Sequence, residues 1–248
     1  MGDAVWSMYD YNRGCCDNIC YSGVADIFRL PKFSLSFFRT QIAEGSMLPS
    51  GKMPYEVFIP AYRDEILSDT VMVYGNVDEV ELVLNGKTIR RQTADKGPDS
   101  DYIPVPNGGN GKNLHFPPFT FYGVPKERGV LKAVGYHQGK KVAEYTVKTP
   151  GVPERLDITY FESGKPATKN DLLIVYVRML DKQGVLCPVN GIPVELSVQG
   201  GEIVGPTSYP LEAGVASFLV RTGEISKINI NATGKGFSTR KSLKVGKE

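Results

Sequence analysis

The residues best equipped for chemistry crowd into one short stretch near the start of the chain. Between Trp6 and Cys20 lie the single tryptophan, the carboxylates Asp10 and Asp17, the guanidinium of Arg13, the phenols Tyr9 and Tyr11, and three of the four cysteines. Two carboxylates could act as an acid and a base. These two sit in a stretch rich in Asn, Asp and Gly, where an aspartate ordinarily bonds the backbone N–H groups of its own loop. Arg13, beside Tyr9, Tyr11 and Asn12, could bind substrate hydroxyls or pair with Asp10 or Asp17. Cys15, Cys16 and Cys20 lack a second ligand pair at zinc-like spacing, so no metal site is expected. An oxidising compartment would allow a disulfide from Cys20 to Cys15 or Cys16. His115 and His137 stand apart from any Ser or Cys nucleophile motif, which leaves no triad. No Gly-x-Gly-x-x-Gly or Walker sequence occurs, and Asn107 to Gly111 does not lead from a strand into a helix, so no nucleotide cofactor is expected.

These side chains need elements to hold them, and the stretch Val5 to Gln41 reads as one strand, one irregular loop and one helix. Val5, Trp6, Met8 and Tyr9 form the strand, and Asp10 to Ser22 the loop. Leu30, Phe33, Phe37, Phe38, Gln41 and Ile42 then recur at a helical period. Pro31 suits the first turn of that helix, and Gly45 and Pro49 end it. A lone strand and helix cannot bury both faces of the strand, so its neighbouring strands are expected to lie outside this sequence.

The string Ala4-Val5-Trp6-Ser7-Met8-Tyr9-Asp10-Tyr11-Asn12-Arg13-Gly14, with Ala25-Asp26-Ile27-Phe28-Arg29-Leu30-Pro31-Lys32 after it, resembles the last βα unit of the catalytic (β/α)8 barrel in family 2 glycoside hydrolases, the β-galactosidase-like group. The resemblance implies a retaining β-glycosidase as the parent enzyme. In that family an aromatic residue at the end of the eighth strand forms part of the sugar pocket, and Trp6 takes that position, where an indole can stack on a pyranose. Asp10 would line the pocket as a hydrogen-bonding group, so the candidate substrate-binding residues are Trp6, Asp10 and Arg13. No catalytic residue is expected here. The family's acid/base and nucleophile glutamates would both precede Met1, and the chain alone is expected to be inactive. Related polysaccharide-degrading enzymes are commonly periplasmic or exported, so the resemblance implies a periplasmic or extracellular parent enzyme; Met1 leads into the strand without a signal-type region, so its signal is expected upstream.

The rest of the chain reads as β structure. After Ile42 no amphipathic helical stretch of convincing length occurs, which excludes a complete barrel. The expected fold is mainly β: two immunoglobulin-like sandwiches, residues 51–150 and 151–248, preceded by a barrel remnant over residues 1–50. Glu44 to Pro54 reads as a linker. Asn85-Gly86 predicts a tight hairpin between Val80–Leu84 and Lys87–Gln92, and Gln138-Gly139 another. Asp95 to Pro118 is a long loop, and Thr149 to Pro153 marks the second boundary. Leu173, Val175, Val177 and Met179 alternate before a turn at Asp181 to Gly184, and the second sandwich resembles bacterial Ig-like repeats of the invasin type.

A net charge of +2 from 29 basic and 27 acidic residues is too balanced for a nucleic-acid partner, and no apolar run reaches the ~20 residues of a membrane span. Carbohydrate is the expected partner of the parent enzyme, with self-association through the barrel remnant when its partners are missing. The rival reading is a non-catalytic carbohydrate-binding or adhesion module of tandem Ig-like domains.

Overall fold

The computed structural model describes residues 7–12, 14, 19–61, 68–95, 114–161 and 165–246. The chain divides into two compact units, Met1–Thr149 and Pro150–Glu248.

The first unit begins with short elements: β1 (Ser7–Tyr9), β2 (Tyr11–Asn12), β3 (Ile19–Cys20), β4 (Gly23–Ala25), the helix α1 (Phe33–Thr40), β5 (Met47–Leu48) and β6 (Gly51–Lys52). The head of the chain departs from the expected strand, loop and helix. β1 has a neighbour inside the sequence, pairing in parallel with β4 through Ser7 with Gly23 and Tyr9 with Ala25. Between them lies the antiparallel pair β2 and β3, with Tyr11 opposite Cys20 and Asn12 opposite Ile19. Pro31 also falls outside the helix. It bridges back to Ala25, and Lys32 is the N-cap. The expected linker is a hairpin of β5 and β6, closed by Gly45 N–H to Met53 O and Met53 N–H to Ser46 O, each 2.8 Å.

Seven strands follow: β7 (Val57–Phe58), β8 (Val71–Gly75), β9 (Glu79–Leu84), β10 (Lys87–Thr93), β11 (Phe119–Phe121), β12 (Val130–His137) and β13 (Lys140–Lys148). They form a four-stranded sheet, β10-β9-β12-β13, and a three-stranded one, β11-β8-β7. Alternation drives this arrangement: Val80, Leu82 and Leu84 point inward with Val71, Val73, Leu131 and Phe119, while Glu79 and Glu81 point out. Each large side chain buried this way contributes roughly 1.5–3 kcal/mol. The Asn85-Gly86 turn has φ of 51° and 80°, the doubly left-handed geometry that matches strand twist, and Gln138-Gly139 repeats it at 49° and 75°.

α1 lies on this sandwich. The Phe33 and Phe58 rings meet edge to face at 5.7 Å and Phe37 meets Tyr74 at 5.0 Å. Arg39 pairs with Glu56. Buried Asn76 donates to Ile42 O and Pro54 O, both at 3.0 Å, and its own Oδ1 accepts the Glu56 N–H.

The second unit holds β14 (Arg155–Tyr160), β15 (Leu172–Leu180), β16 (Pro193–Gln199), β17 (Gly201–Ile203), β18 (Ser208–Pro210), β19 (Val215–Thr222), β20 (Lys227–Gly234) and β21 (Phe237–Lys244). Two four-stranded sheets result, β14-β15-β19-β17 and β18-β16-β20-β21, around a core that includes Val175, Val177, Met179, Leu196, Phe218 and Ile230. The Asp181 turn is fixed by its carboxylate, which accepts N–H bonds from Val185 at 2.8 Å and Gly151 at 2.7 Å.

Candidate functional site around Asp10

The chain between β4 and α1 is a tight local structure built on Asp26. Its Oδ1 accepts the N–H groups of Phe28 and Leu30, both at 2.8 Å, and its N–H donates to Leu30 O. An aspartate bonding the amides just after it is the usual Asx turn. Arg29 takes the left-handed φ of 68° needed to reverse the chain, and Lys32 N–H then returns to Val24 O at 3.0 Å. The reversal brings the Lys32 side chain back over β4.

There it meets Asp10. Lys32 Nζ lies 2.6 Å from Asp10 Oδ1 and 3.1 Å from Tyr21 O. The same Oδ1 accepts the Gly23 N–H at 2.9 Å, and Asp10 N–H donates to Ala25 O at 3.0 Å. The Asp10 side chain is only 2% exposed. A buried carboxylate needs a cation and hydrogen bonds to remain charged at acceptable cost, and here both come from within the segment. Gly23 makes the approach possible: a Cβ there would sit 2.3 Å from Asp10 N and 2.3 Å from Tyr9 C.

Of the three expected substrate-binding residues, Asp10 is therefore placed at the base of the loop that joins β1 to β4. Trp6 and Arg13 lie outside the described residues, as do Cys15, Cys16 and Asp17. Cys20 Sγ is 3.4 Å from Ser22 Oγ, and Cys187 is buried in the second unit, remote in sequence. Lys32, Gly23 and Asp26 escaped the reading of single residues. Their roles depend on contacts such as Lys32 to Asp10, 22 positions apart, and only the turn-forming Asp26 has a local signal.

A second polar constellation lies on the outer face of the four-stranded sheet in the first sandwich. Tyr136 Oη donates to Glu81 Oε2 at 2.7 Å, Thr88 Oγ1 donates to Glu81 Oε1 at 2.6 Å, and the Arg91 guanidinium covers the Tyr136 ring at 3.7 Å. The Thr88 and Tyr136 hydroxyls hold the Glu81 carboxyl below its ordinary pKa, and the bond to Glu81 pushes the Tyr136 phenol up. Beside it is a shallow cavity of about 420 Å³ over Val83, Val134, Lys132 and Glu144. Because Arg91 occupies one face of the tyrosine, that face is closed to a stacking ligand. Among the described residues no group of three His, Cys, Asp or Glu side chains could hold a metal ion.

Comparison with known proteins decides the family. A β-galactosidase of Rhizobium radiobacter is 30% identical over 129 residues, which cover 51% of this chain and 92% of that relative. The chain belongs to the β-galactosidase-like group of glycoside hydrolase family 2. A β-galactosidase of Thermoanaerobacter pseudethanolicus is 32% identical over 237 residues, or 89% of the chain, yet the match spans only 30% of that enzyme. A family described as a domain of unknown function (DUF4982) matches residues 68–143 of this family 2 chain, most of its first sandwich. The fold agrees with the crystal structure of a β-glycosidase from Bacteroides vulgatus, which superimposes with a TM-score of 0.75 at 16% identity over 97% of the chain and 30% of that protein.

Proposed function

We propose that this chain is the C-terminal part of a retaining β-glycosidase of the β-galactosidase type, serving a catalytic centre whose two glutamates lie upstream. The observation that carries this reading is the extent of the relatives: nearly all of the chain aligns with under a third of the Thermoanaerobacter β-galactosidase. Residues 7–40 would then be the end of the catalytic barrel, with β1 as its last strand and α1 as the helix behind it. Trp6 supplies a stacking surface for the sugar and Arg13 supports its hydroxyls, while Asp10, buried against Lys32 and the Gly23 N–H, supports the loop around them. The two sandwiches act as a scaffold. Carbohydrate is the substrate of the whole enzyme, which works in the periplasm or outside the cell. When nothing else covers residues 7–48, this segment associates with a second copy.

The test has two arms. Purified chain is expected to release no nitrophenol from nitrophenyl β-galactoside or β-glucuronide, since it contributes at most one wall of the site. DNA directly upstream of the Met1 codon is expected to encode, in frame or after one frameshift, a barrel with an Asn-Glu pair and a later Glu. Turnover by the pure chain that survives replacement of Trp6, or an unrelated upstream sequence, would overturn the reading.

A further inference from the structure

We propose that the outer face of the four-stranded sheet in the first sandwich binds a saccharide bearing a uronic acid, at the cavity centred on Lys132. That the ligand is a saccharide rests on the function proposed above; its charge and its place rest on the sheet. The cavity, about 420 Å³, falls within the roughly 300–1,000 Å³ of small-molecule sites. Val130, Lys132, Val134 and Tyr136 stand at every second position of β12, so they share its outer face, and all four line the cavity. Val83 of β9 lies opposite Lys132, and Glu144 of β13 opposite Val134. One ammonium is thus set among three valines. Val134 is only 7% exposed although it is no part of the sandwich core, so the side chains around it already keep water from part of the floor.

The charge of the sheet selects the ligand. Strands β9, β10, β12 and β13 carry seven lysine and arginine residues against three glutamates. Each glutamate is already engaged: Glu79 with Arg91, Glu81 with Thr88 and Tyr136, and Glu144 with Lys141 at 2.6 Å. Lys132 is less committed. Its Nζ stands 3.7 Å from Glu144 Oε2, too long for a good hydrogen bond, and its side chain is 38% exposed. An incoming carboxylate can take this ammonium without breaking a tight pair. Both lysines approach Oε2 of Glu144, which leaves Oε1 to accept a sugar hydroxyl. Val83, Val130 and Val134 cover the C–H surface of the ring, and Tyr136, fixed by Glu81 and by Arg91 at 3.7 Å, is a wall already in place. A uronic acid carries its carboxylate directly on the ring, so one residue presents charge, hydroxyls and apolar face together, as a cation beside a valine floor requires. A sulfate hangs from an ester oxygen further out.

The experiment titrates the full chain, followed by its amide chemical shifts, with trigalacturonate, with triglucuronate, with the neutral methyl ester of each, and with a sulfated galactose trisaccharide. At least one triuronate is expected to bind and to move the amides of Val83, Lys132, Val134 and Glu144 while those of β15 and β19 stay in place. Its methyl ester keeps the shape and loses the charge, and should bind about tenfold more weakly or worse. Lys132→Gln should weaken binding of the triuronate about fivefold or more. Arg90→Gln removes a cation from the same sheet without touching the cavity lining, and should weaken it less than about twofold, since a charge outside the site is screened by salt. No shift at these amides with either triuronate overturns the site. Equal losses in the two variants would mean diffuse attraction to a basic sheet and overturn it as well, and equal affinity for the sulfated trisaccharide overturns the choice of a uronic acid. No glycosidic bond is cleaved in these titrations, so failure here is distinct from failure of the glycosidase reading.

Discussion

Lys32 Nζ sits 2.6 Å from Asp10 Oδ1, joining two sequence strings that are 22 positions apart. The pair is asymmetric. Asp10 is 2% exposed at its side chain and Lys32 30%, so the anion bears most of the desolvation and the cation keeps contact with water. Such a pair does more to fix one arrangement than to raise overall stability.

Replacing Asp10 separates charge from shape. Asp10→Asn retains an oxygen for the Gly23 N–H and loses the attraction to Lys32, whereas Asp10→Ala loses both. The expected destabilisation is about 1 kcal/mol for the amide and about 2–3 kcal/mol for alanine. Urea unfolding of the full chain measures both. A double-mutant cycle of Asp10→Asn with Lys32→Met should show a coupling of about 1 kcal/mol or more, and strict additivity would mean that the pair contributes nothing.

Gly23→Ala tests the close approach of β1 and β4. The new methyl would lie within 2.3 Å of backbone atoms of Asp10 and Tyr9, which are not free to move like a side-chain end. A cost of about 1–3 kcal/mol, or local opening of the loop, is expected. Gly45→Ala is the comparison: it meets nothing within 4 Å but keeps a φ of +78°, so its cost should be only about 1 kcal/mol. Equal melting temperatures for the two variants would contradict the geometry.

How much of this was legible in the sequence follows from the range of the interactions. The sandwich strands were readable because alternation is local: Val80, Leu82 and Leu84, or Leu173, Val175 and Val177, declare their buried face within a few residues, and Asn85-Gly86 names its own turn. The family was readable from the strings around Trp6 and Asp26. The head of the chain was misread where distant contacts decide. Nothing near Gly23 announces that it starts a strand parallel to β1, and the helical period ran back to Leu30 because apolar spacing does not register that Pro31 is engaged with Ala25. The hairpin at residues 45–53 looked like a linker because its Gly, Ser and Pro residues serve turns equally well in either setting.

Acid should weaken the second unit through Asp181. Burial raises the pKa of this carboxyl, but N–H groups of Gly151, Val185, Gln183 and Gly184 more than offset that and hold it below its usual value. A carboxylate with a lowered folded-state pKa adds stability above its unfolded pKa of about 3.9, and that contribution disappears as pH falls through the folded value. Thermal melts of the full chain from pH 7 to pH 3 should therefore show the transition of this unit falling below about pH 4. Asp181→Asn should lower that transition at pH 7 and flatten the acid limb. An acid limb as steep in the variant as in the parent would remove Asp181 as its cause.

Removing residues 1–52 tests what the head of the first unit contributes and what it exposes. The truncated chain keeps the cores of both sandwiches but loses the ring contacts of Phe33 with Phe58 and Phe37 with Tyr74, the Arg39 pair with Glu56, and the Ile42 carbonyl that accepts from Asn76. Uncovering two aromatic rings and one buried amide should cost the first sandwich about 2–5 kcal/mol while it stays folded, with the second unit unchanged. The intact head carries its own liability. Met8 is 63% exposed, Tyr21 73% and Met47 74%, and among the described residues β1 is paired along one edge only. An open strand edge beside apolar side chains favours association. Light scattering after size exclusion should therefore find concentration-dependent oligomers for the full chain and a monomer for the truncated one. Monomers in both cases would show that this surface is stable in water without a second copy.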